Sequence, residues 1–87
     1  MNDELVRHVA DRIARYLEAC PAAADTIEGV HRFWIDAHDA QESIDVTLAA
    51  LESLRARGVV ARVAIGNRTL WRVRREGDHP PEDDAGR

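Results

Sequence analysis

A glycine–asparagine pair near the C-terminal end separates two segments of strong β-strand character. Val59 to Ile65 is rich in β-branched residues, and Arg68 to Arg74 alternates apolar residues with arginine. Because Gly66-Asn67 is only two residues long and begins with glycine, it favours a type II′ hairpin turn. A turn of this length also sets the register, which pairs Val63 with Leu70 and Val60 with Val73.

The alternation places two apolar sets of side chains on opposite faces of this hairpin. Either face could pack on the rest of the chain, and the sequence leaves this choice open. One face carries Val60, Trp71 and Val73, and the other carries Val63, Ile65 and Leu70.

Two segments that precede the hairpin have the 3.6-residue periodicity of amphipathic helices. The first covers residues 3–19 and ends where Pro21 pushes Cys20 out of the helical region. The second begins near Asp25, because Asp25 and Glu28 have the spacing of a capping box. The apolar stripes of the two helices are Leu5, Val9, Ile13, Tyr16 and Leu17, and then Ile27, Val30 and Trp34.

A third helix is predicted to begin near Asp39, where Asp39 and Glu42 repeat the capping-box spacing. Its end is marked by Gly58, which follows two arginines and suits the C-terminal cap of a helix. Only a few residues link it to the second helix, so the pair should pack as a helix-turn-helix. The expected core stripe of this helix is Ile44, Leu48, Leu51 and Leu54.

Length and composition place these elements in one small domain. A chain of 87 residues has room for a single core, which we predict to span residues 1–76. Residues 77–87 combine prolines with acids and are predicted to form a disordered acidic tail. A cytoplasmic location is predicted, because the chain has one cysteine, no apolar run long enough to span a membrane, and no signal-peptide pattern at its acidic start.

The order of these elements resembles that of the winged helix-turn-helix superfamily, over residues 3–75. The resemblance is carried by the segment from Leu48 to Val60, in which leucines at helical spacing lead into Gly58 and the hairpin. It implies an α+β fold with three helices and a C-terminal two-stranded β-hairpin wing. It further implies that the third helix enters the major groove of DNA and that the wing touches phosphate or the minor groove, although some members act as protein–protein modules.

The third helix lacks the side chains that usually read DNA bases. Arginine or lysine reads guanine and asparagine or glutamine reads adenine, and only Gln41, near the helix start, fits this pattern. The face opposite the expected core stripe carries two acidic residues and no basic residue. This predicted face, for a partner or a groove, consists of Gln41, Glu42, Asp45, Val46, Ala49 and Ser53.

The hairpin, by contrast, is basic, because residues 59–76 carry five arginines against one glutamate. These arginines could contact the phosphates of nucleic acid or an acidic protein partner. They could equally cover the apolar surface of the hairpin with their stems, or receive the acidic tail folded back upon them. The candidate contact residues are Arg62, Arg68, Arg72 and Arg74.

Phe33 and Trp34 are adjacent in the second helix, so their side chains point in different directions. Both could fill the core on different sides. Alternatively, one is buried and the other is an exposed anchor for a dimer or partner, since aromatic residues are favoured at the centres of interfaces.

The chain contains no nucleophile elbow, phosphate-binding loop or zinc-ligand spacing, and its histidines are scattered. We therefore predict no enzyme activity, no cofactor, no metal and no small-molecule substrate. The favoured hypothesis is a protein-interaction or regulatory adaptor whose partner is another protein or a second copy in a homodimer. The alternative is a DNA-binding transcription regulator that contacts DNA mainly through the arginine-rich wing.

Overall fold

The computed structural model describes residues 2–35 and 43–78, which form an α+β domain. The second and third of three helical segments pack on one face of a three-stranded antiparallel sheet, and the first segment packs on those two. The second segment consists of a short α-helix that continues into a π-helical turn. In chain order the elements are α1 (Asp3–Ala19), β1 (Ala24–Asp25), α2 (Ile27–Gly29), the π-helical turn (Val30–Trp34), α3 (Ile44–Ala56), β2 (Val60–Ile65) and β3 (Arg68–Val73).

The first helix has the predicted bounds. Its N-terminus is capped by the Asn2 side chain, whose Oδ1 accepts hydrogen bonds from the backbone N–H groups of Glu4 at 2.9 Å and Leu5 at 3.1 Å. At the other end, the N–H of Cys20 donates to the carbonyl of Tyr16, and Pro21 follows. The buried side of α1 consists of Val9, Ala10, Ile13 and Leu17.

The second helical segment is capped one residue later than predicted. Thr26 is its N-cap, and its Oγ1 accepts the N–H of Gly29 at 3.3 Å. Asp25 instead lies in β1, and its Oδ1 accepts the N–H of Thr26 at 2.8 Å. The predicted capping box of Asp25 and Glu28 is therefore wrong. The segment then widens, because Ile35 donates to the carbonyl of Val30 with the five-residue spacing of a π-helix.

The sheet has three strands in the order β1-β3-β2 among the described residues, rather than the two strands of the predicted hairpin. The predicted register is observed for β2 and β3, with Val63 opposite Leu70 and Val60 opposite Val73. Gly66 takes a positive φ of 60° in the turn, which agrees with its predicted role. The additional strand, β1, contributes two residues that pair with Trp71 and Arg72 of β3.

The burial of the hairpin side chains shows which face packs on the helices. Val60 and Trp71 are buried in the core, and Val73 packs beside them. Ile65, on the other face, is 58% exposed. The sheet therefore turns its Val60–Trp71 face inward and leaves the opposite face on the outside of the domain.

The third helix begins later and is rotated relative to the prediction. Ser43 has an extended backbone and is the N-cap, so α3 starts at Ile44, while the expected start near Asp39 lies outside the described residues. Ile44 and Leu48, expected in the core, are partly exposed, and the exposed fraction of Leu48 is 39%. Leu51 and Leu54 are buried as expected, and the other buried residues of α3 are Val46, Thr47 and Ala50.

The end of α3 has the predicted glycine cap. Gly58 adopts a φ of 79°, and its N–H donates to the carbonyl of Arg55 at 3.0 Å. The next N–H, that of Val59, donates to the carbonyl of Leu54 at 2.9 Å. These two bonds form a Schellman motif, which turns the chain directly from α3 into β2.

Aromatic and polar contacts hold α1 against the second helical segment. Tyr16 of α1 stacks on Trp34, with ring centroids 5.0 Å apart and planes inclined by 14°. Arg12 donates from Nη2 to the carbonyl of Ile35, where that segment ends. These contacts place Trp34 in the core and tie the end of the second helical segment to α1.

Candidate interaction surfaces

Arg62 of the hairpin is paired with an acid of α3. Its Nη1 lies 3.2 Å from Oε2 of Glu52, whose other oxygen accepts from Nε of Arg55 at 3.3 Å. The guanidinium of Arg62 also lies 6.0 Å from the ring centre of Trp71. Arg62 therefore links β2 to α3, and part of its charge is neutralised within the domain.

Arg72 forms a bidentate ion pair with Asp78. Its Nη1 and Nη2 donate to the two carboxylate oxygens at 3.0 Å each, and both side chains are only 17% exposed. The backbone N–H of Arg75 donates to the same carboxylate at 2.5 Å. Hydrogen bonding from Arg72, followed by that of the Arg75 N–H, lowers the pKa of Asp78 to about 2.

Asp78 closes a turn that extends beyond residue 76, where the domain was predicted to end. Its N–H donates to the carbonyl of Arg75 at 3.0 Å, and Gly77 adopts a φ of 100° in this turn. Arg74 donates from Nη2 to the Asp78 carbonyl at 3.3 Å. The start of the acidic segment thus folds back on two hairpin arginines, while the rest of the predicted tail, residues 79–87, lies outside the described residues.

Arg68 differs from the other three candidate arginines. It lies at the tip of the hairpin, is exposed, and forms no ion pair with any residue that the structure describes. Of the four hairpin arginines predicted to contact an external anion, the other three are engaged by Glu52 or Asp78. The sequence showed their number but not these internal partners, because both acids come from outside the hairpin.

The exposed side of α3 differs from the predicted interaction face. Val46 was expected on that face, but only 6% of it is exposed, so this prediction is wrong. Asp45 is exposed as expected, and Ala49 and Ser53 are half-buried. Gln41 and Glu42 lie outside the described residues. The outward side of α3 instead presents Ile44, Asp45, Leu48 and, farther along, Glu52.

The adjacent aromatic residues Phe33 and Trp34 differ in burial. Trp34 is buried against Tyr16, whereas Phe33 is 64% exposed. The alternative in which both rings fill the core is therefore wrong. Phe33, Ile44 and Leu48 are exposed apolar side chains of the helical part of the domain.

A polar contact between the second and third helices explains the one buried polar side chain of the described core. Thr47 is fully buried, and its Oγ1 lies 2.6 Å from Nδ1 of His31. Among residues 2–35 and 43–78, no three His, Cys, Asp or Glu side chains come together as metal ligands. Cys20 is exposed at the end of α1, and His38 lies outside the described residues.

A groove of about 490 Å³ opens between the start of α2 and the tip of the hairpin. It is lined by residues 26–28 and 67–69, with Trp71 as a further lining residue. Glu28 and Arg68 are its charged residues, and its lining contains no cysteine, histidine or serine. The sequence offered no signal for this groove, because its two sides are about forty residues apart in the chain.

Comparison with protein-family models, with curated proteins and with solved structures finds no match to this chain. None of the helices in the described part of the chain is long and apolar enough to cross a membrane.

Proposed function

We propose that this protein is a non-catalytic winged-helix module that acts as a protein-interaction or regulatory adaptor. The proposal of a winged helix is supported by the order of its elements, in which the second and third helical segments precede an antiparallel hairpin. The Schellman turn at Gly58 joins the third helix directly to that hairpin. The third strand, β1, extends the sheet without changing this order.

The observation that carries the interaction role is the character of the outward side of α3. It presents exposed apolar side chains, Ile44 and Leu48, beside the exposed carboxylate of Asp45. A helix that enters a DNA groove would bring this carboxylate close to phosphates, which repel it. A protein surface with apolar side chains and flanking basic residues suits the same side of α3 well.

The hairpin supports the same choice. Arg72 and Arg74 are engaged by Asp78, and Arg62 is engaged by Glu52. Phosphate contacts by these arginines require that the internal bonds break first, so the net gain on binding DNA is smaller than the number of arginines suggests. Phe33 adds an exposed aromatic side chain, of the type enriched at binding hot spots.

DNA binding through the hairpin is the second candidate function. It is favoured by Arg68, which is exposed at the tip without an ion pair among the described residues. A contact at that position with phosphate or with a narrow minor groove leaves the internal pairs intact. One such contact gives only a shallow dependence of affinity on salt, with a slope near −0.9 per phosphate neutralised.

The first experiment separates these two functions by the anisotropy of a labelled mixed-sequence duplex, at about 50 mM and about 200 mM salt. Under the proposal, the wild type binds no more strongly than the double variant Arg68→Ala, Arg72→Ala at either salt concentration. Salt-sensitive binding by the wild type that the double variant loses would favour the DNA-binding function instead.

The second experiment places a photo-crosslinking amino acid at position 33 or 48 in living cells. Under the proposal, both positions capture the same protein, and Leu48→Glu abolishes its capture from position 33. The matched control position is Arg15, which is also exposed and lies on α1. Capture of that protein from position 15 as well, or capture that survives Leu48→Glu, would contradict a binding surface on α3.

A further inference from the structure

The strand β2 is an edge of the sheet with one side unpaired by any described strand. Its six residues, Val60–Ile65, contain no proline, no lysine and no acid. Edge strands usually carry such residues because they prevent pairing with another chain. The single charge of the strand is Arg62, and its guanidinium is drawn toward Glu52 at 3.2 Å. Arg62, on the inner face, is therefore the only residue of this strand of the types that usually protect an edge.

The hairpin register determines which backbone groups of β2 face outward. In a two-residue hairpin the residues that flank the turn, Ile65 and Arg68, form a hydrogen-bonded pair. Alternation along the ladder assigns Val63 and Ala61 to hydrogen-bonded pairs as well. The bond from the Arg74 N–H to the Val59 carbonyl, at 3.0 Å, continues the same alternation. The N–H and C=O groups that point away from β3 are therefore those of Val60, Arg62 and Ala64.

The two faces of β2 differ in charge, and this difference restricts how two copies could pair. On the outer face of the sheet lie Ala61, Val63 and Ile65, of which Ile65 is 58% exposed. On the inner face, the residues of β2 nearest the hairpin turn are Arg62 and Ala64. The outer face thus offers an uninterrupted apolar row along the edge.

We propose that β2 pairs antiparallel with β2 of a second copy of this chain, about a two-fold axis that places Val63 opposite Val63 of the other copy. In this register, the backbone of Arg62 in each copy exchanges hydrogen bonds with the backbone of Ala64 in the other copy. The N–H and C=O groups that form these bonds are among those that already point away from β3. The neighbouring register, centred on Arg62, sets two arginines directly opposite each other. Like charges opposite each other destabilise a strand pair, which favours the Val63-centred register.

The pairing joins the two sheets into one continuous sheet of six strands. Val63 meets its own copy, and Ile65 meets Ala61, at non-hydrogen-bonded positions, where side chains approach most closely. The six side chains form an apolar row that crosses the two-fold axis on the outer face. Because a two-fold pairing uses the same edge in both copies, the assembly closes as a dimer rather than growing into a fibre.

The proposal concerns a surface that the proposed adaptor function does not use, so either can fail without the other. Its first test is the molar mass of the full chain by sedimentation equilibrium over a range of concentrations. The expected mass rises from that of the monomer, 9.7 kDa, to twice that value. Ala64→Pro removes an outward N–H but leaves the ladder to β3 intact, and it should keep the protein monomeric. Ala64→Val keeps that N–H and is the matched control, which should still dimerise.

A disulfide test fixes the register and does not depend on the proline variant. In a Cys20→Ser background, Val63→Cys should form an intermolecular disulfide on oxidation, because residues at this type of position lie about 4.5 Å apart between Cα atoms. Arg62→Cys in the same background should not. A chain that stays monomeric at every concentration, a dimer that survives Ala64→Pro with the fold intact, or a disulfide at position 62 and not at 63 would overturn the proposal.

Discussion

Replacing Gly29 by alanine should destabilise this domain, although alanine is the better helix former. The backbone of Gly29 is helical, with φ of −67° and ψ of −42°, so alanine suits its conformation and gains about 1 kcal/mol in helix propensity. A methyl group at this position, however, would overlap the carboxyl group of Asp25. That carboxyl is held in place because Oδ1 accepts the N–H of Thr26 at 2.8 Å.

The expected size of the effect follows from these opposing contributions. An inserted methyl group with no room costs about 1–3 kcal/mol. Moving the Asp25 carboxylate aside instead forfeits a hydrogen bond worth about 0.5–1.5 kcal/mol and leaves residual strain. After subtracting the propensity gain, Gly29→Ala should lower the free energy of unfolding by about 1 kcal/mol. In an Asp25→Ala background the obstacle is gone, and the same substitution should raise it by about 1 kcal/mol.

The assay is urea unfolding followed by far-ultraviolet circular dichroism, applied to the wild type, the two single variants and the double variant. The coupling between the sites should be about 2 kcal/mol, within the range found for residues in contact. If the four free energies of unfolding add within about 0.5 kcal/mol, or if Gly29→Ala stabilises the wild type, then the Asp25 carboxylate does not occupy the space beside Gly29 and the reasoning is refuted.

Three further predictions concern single features of the domain. The pKa of Asp78 is about 2 in the folded protein against an ordinary 3.8, so its carboxylate stabilises the fold above pH 4. This stabilisation should be lost as the pH falls toward 2, and urea titrations of Asp78→Asn should lack that part of the pH dependence. Gly58→Ala should destabilise the domain by about 1 kcal/mol, because alanine is strained at a φ of 79°. No described atom obstructs the new methyl group, so this strain is the whole cost, and equal stability by thermal unfolding would contradict it. Phe33→Ser should change stability by less than about 0.5 kcal/mol, whereas Trp34→Ala should cost about 3–5 kcal/mol, and a reversal of that order in urea would refute their assignments to surface and core.

Local signals in the sequence were sufficient for the elements whose geometry is set by neighbouring residues. The first helix follows from its periodic apolar stripe and from Pro21 beyond its end. The hairpin register follows from the length of the Gly66-Asn67 turn, since two residues allow only one pairing of the flanking strands. The end of α3 follows from Gly58, because glycine adopts the required positive φ with little strain.

The orientation of α3 could not be predicted because apolar residues occupy most directions around it. Ile44 and Leu48 have the helical spacing of a core stripe, but Val46 and Ala50 have the same spacing of four residues on another side of the helix. The buried side also includes Thr47, a polar residue that a sequence stripe would place outside. It is buried because His31, sixteen residues earlier in the chain, provides a hydrogen-bond partner at 2.6 Å.

The interaction surfaces were only partly predictable for a similar reason. The cluster of arginines is visible in the sequence, but whether each charge is available depends on acids that the fold brings near. Glu52 reaches Arg62 from α3, and Asp78 reaches Arg72 after the turn at Gly77. The strand β1 was missed because two residues are too few to produce an alternating pattern.

The placement of the two tryptophans gives each layer of the domain its own optical reporter. Trp34 lies among the helices, stacked on Tyr16, and Trp71 lies in the sheet with the Arg62 guanidinium 6.0 Å from its ring. Indole emission shifts to longer wavelength when water reaches the ring, so Trp34→Phe leaves emission that follows the sheet alone, and Trp71→Phe leaves emission that follows the helices. Each emission curve, compared with the circular dichroism curve of the same variant, then reports whether the helical layer and the sheet unfold as a single unit.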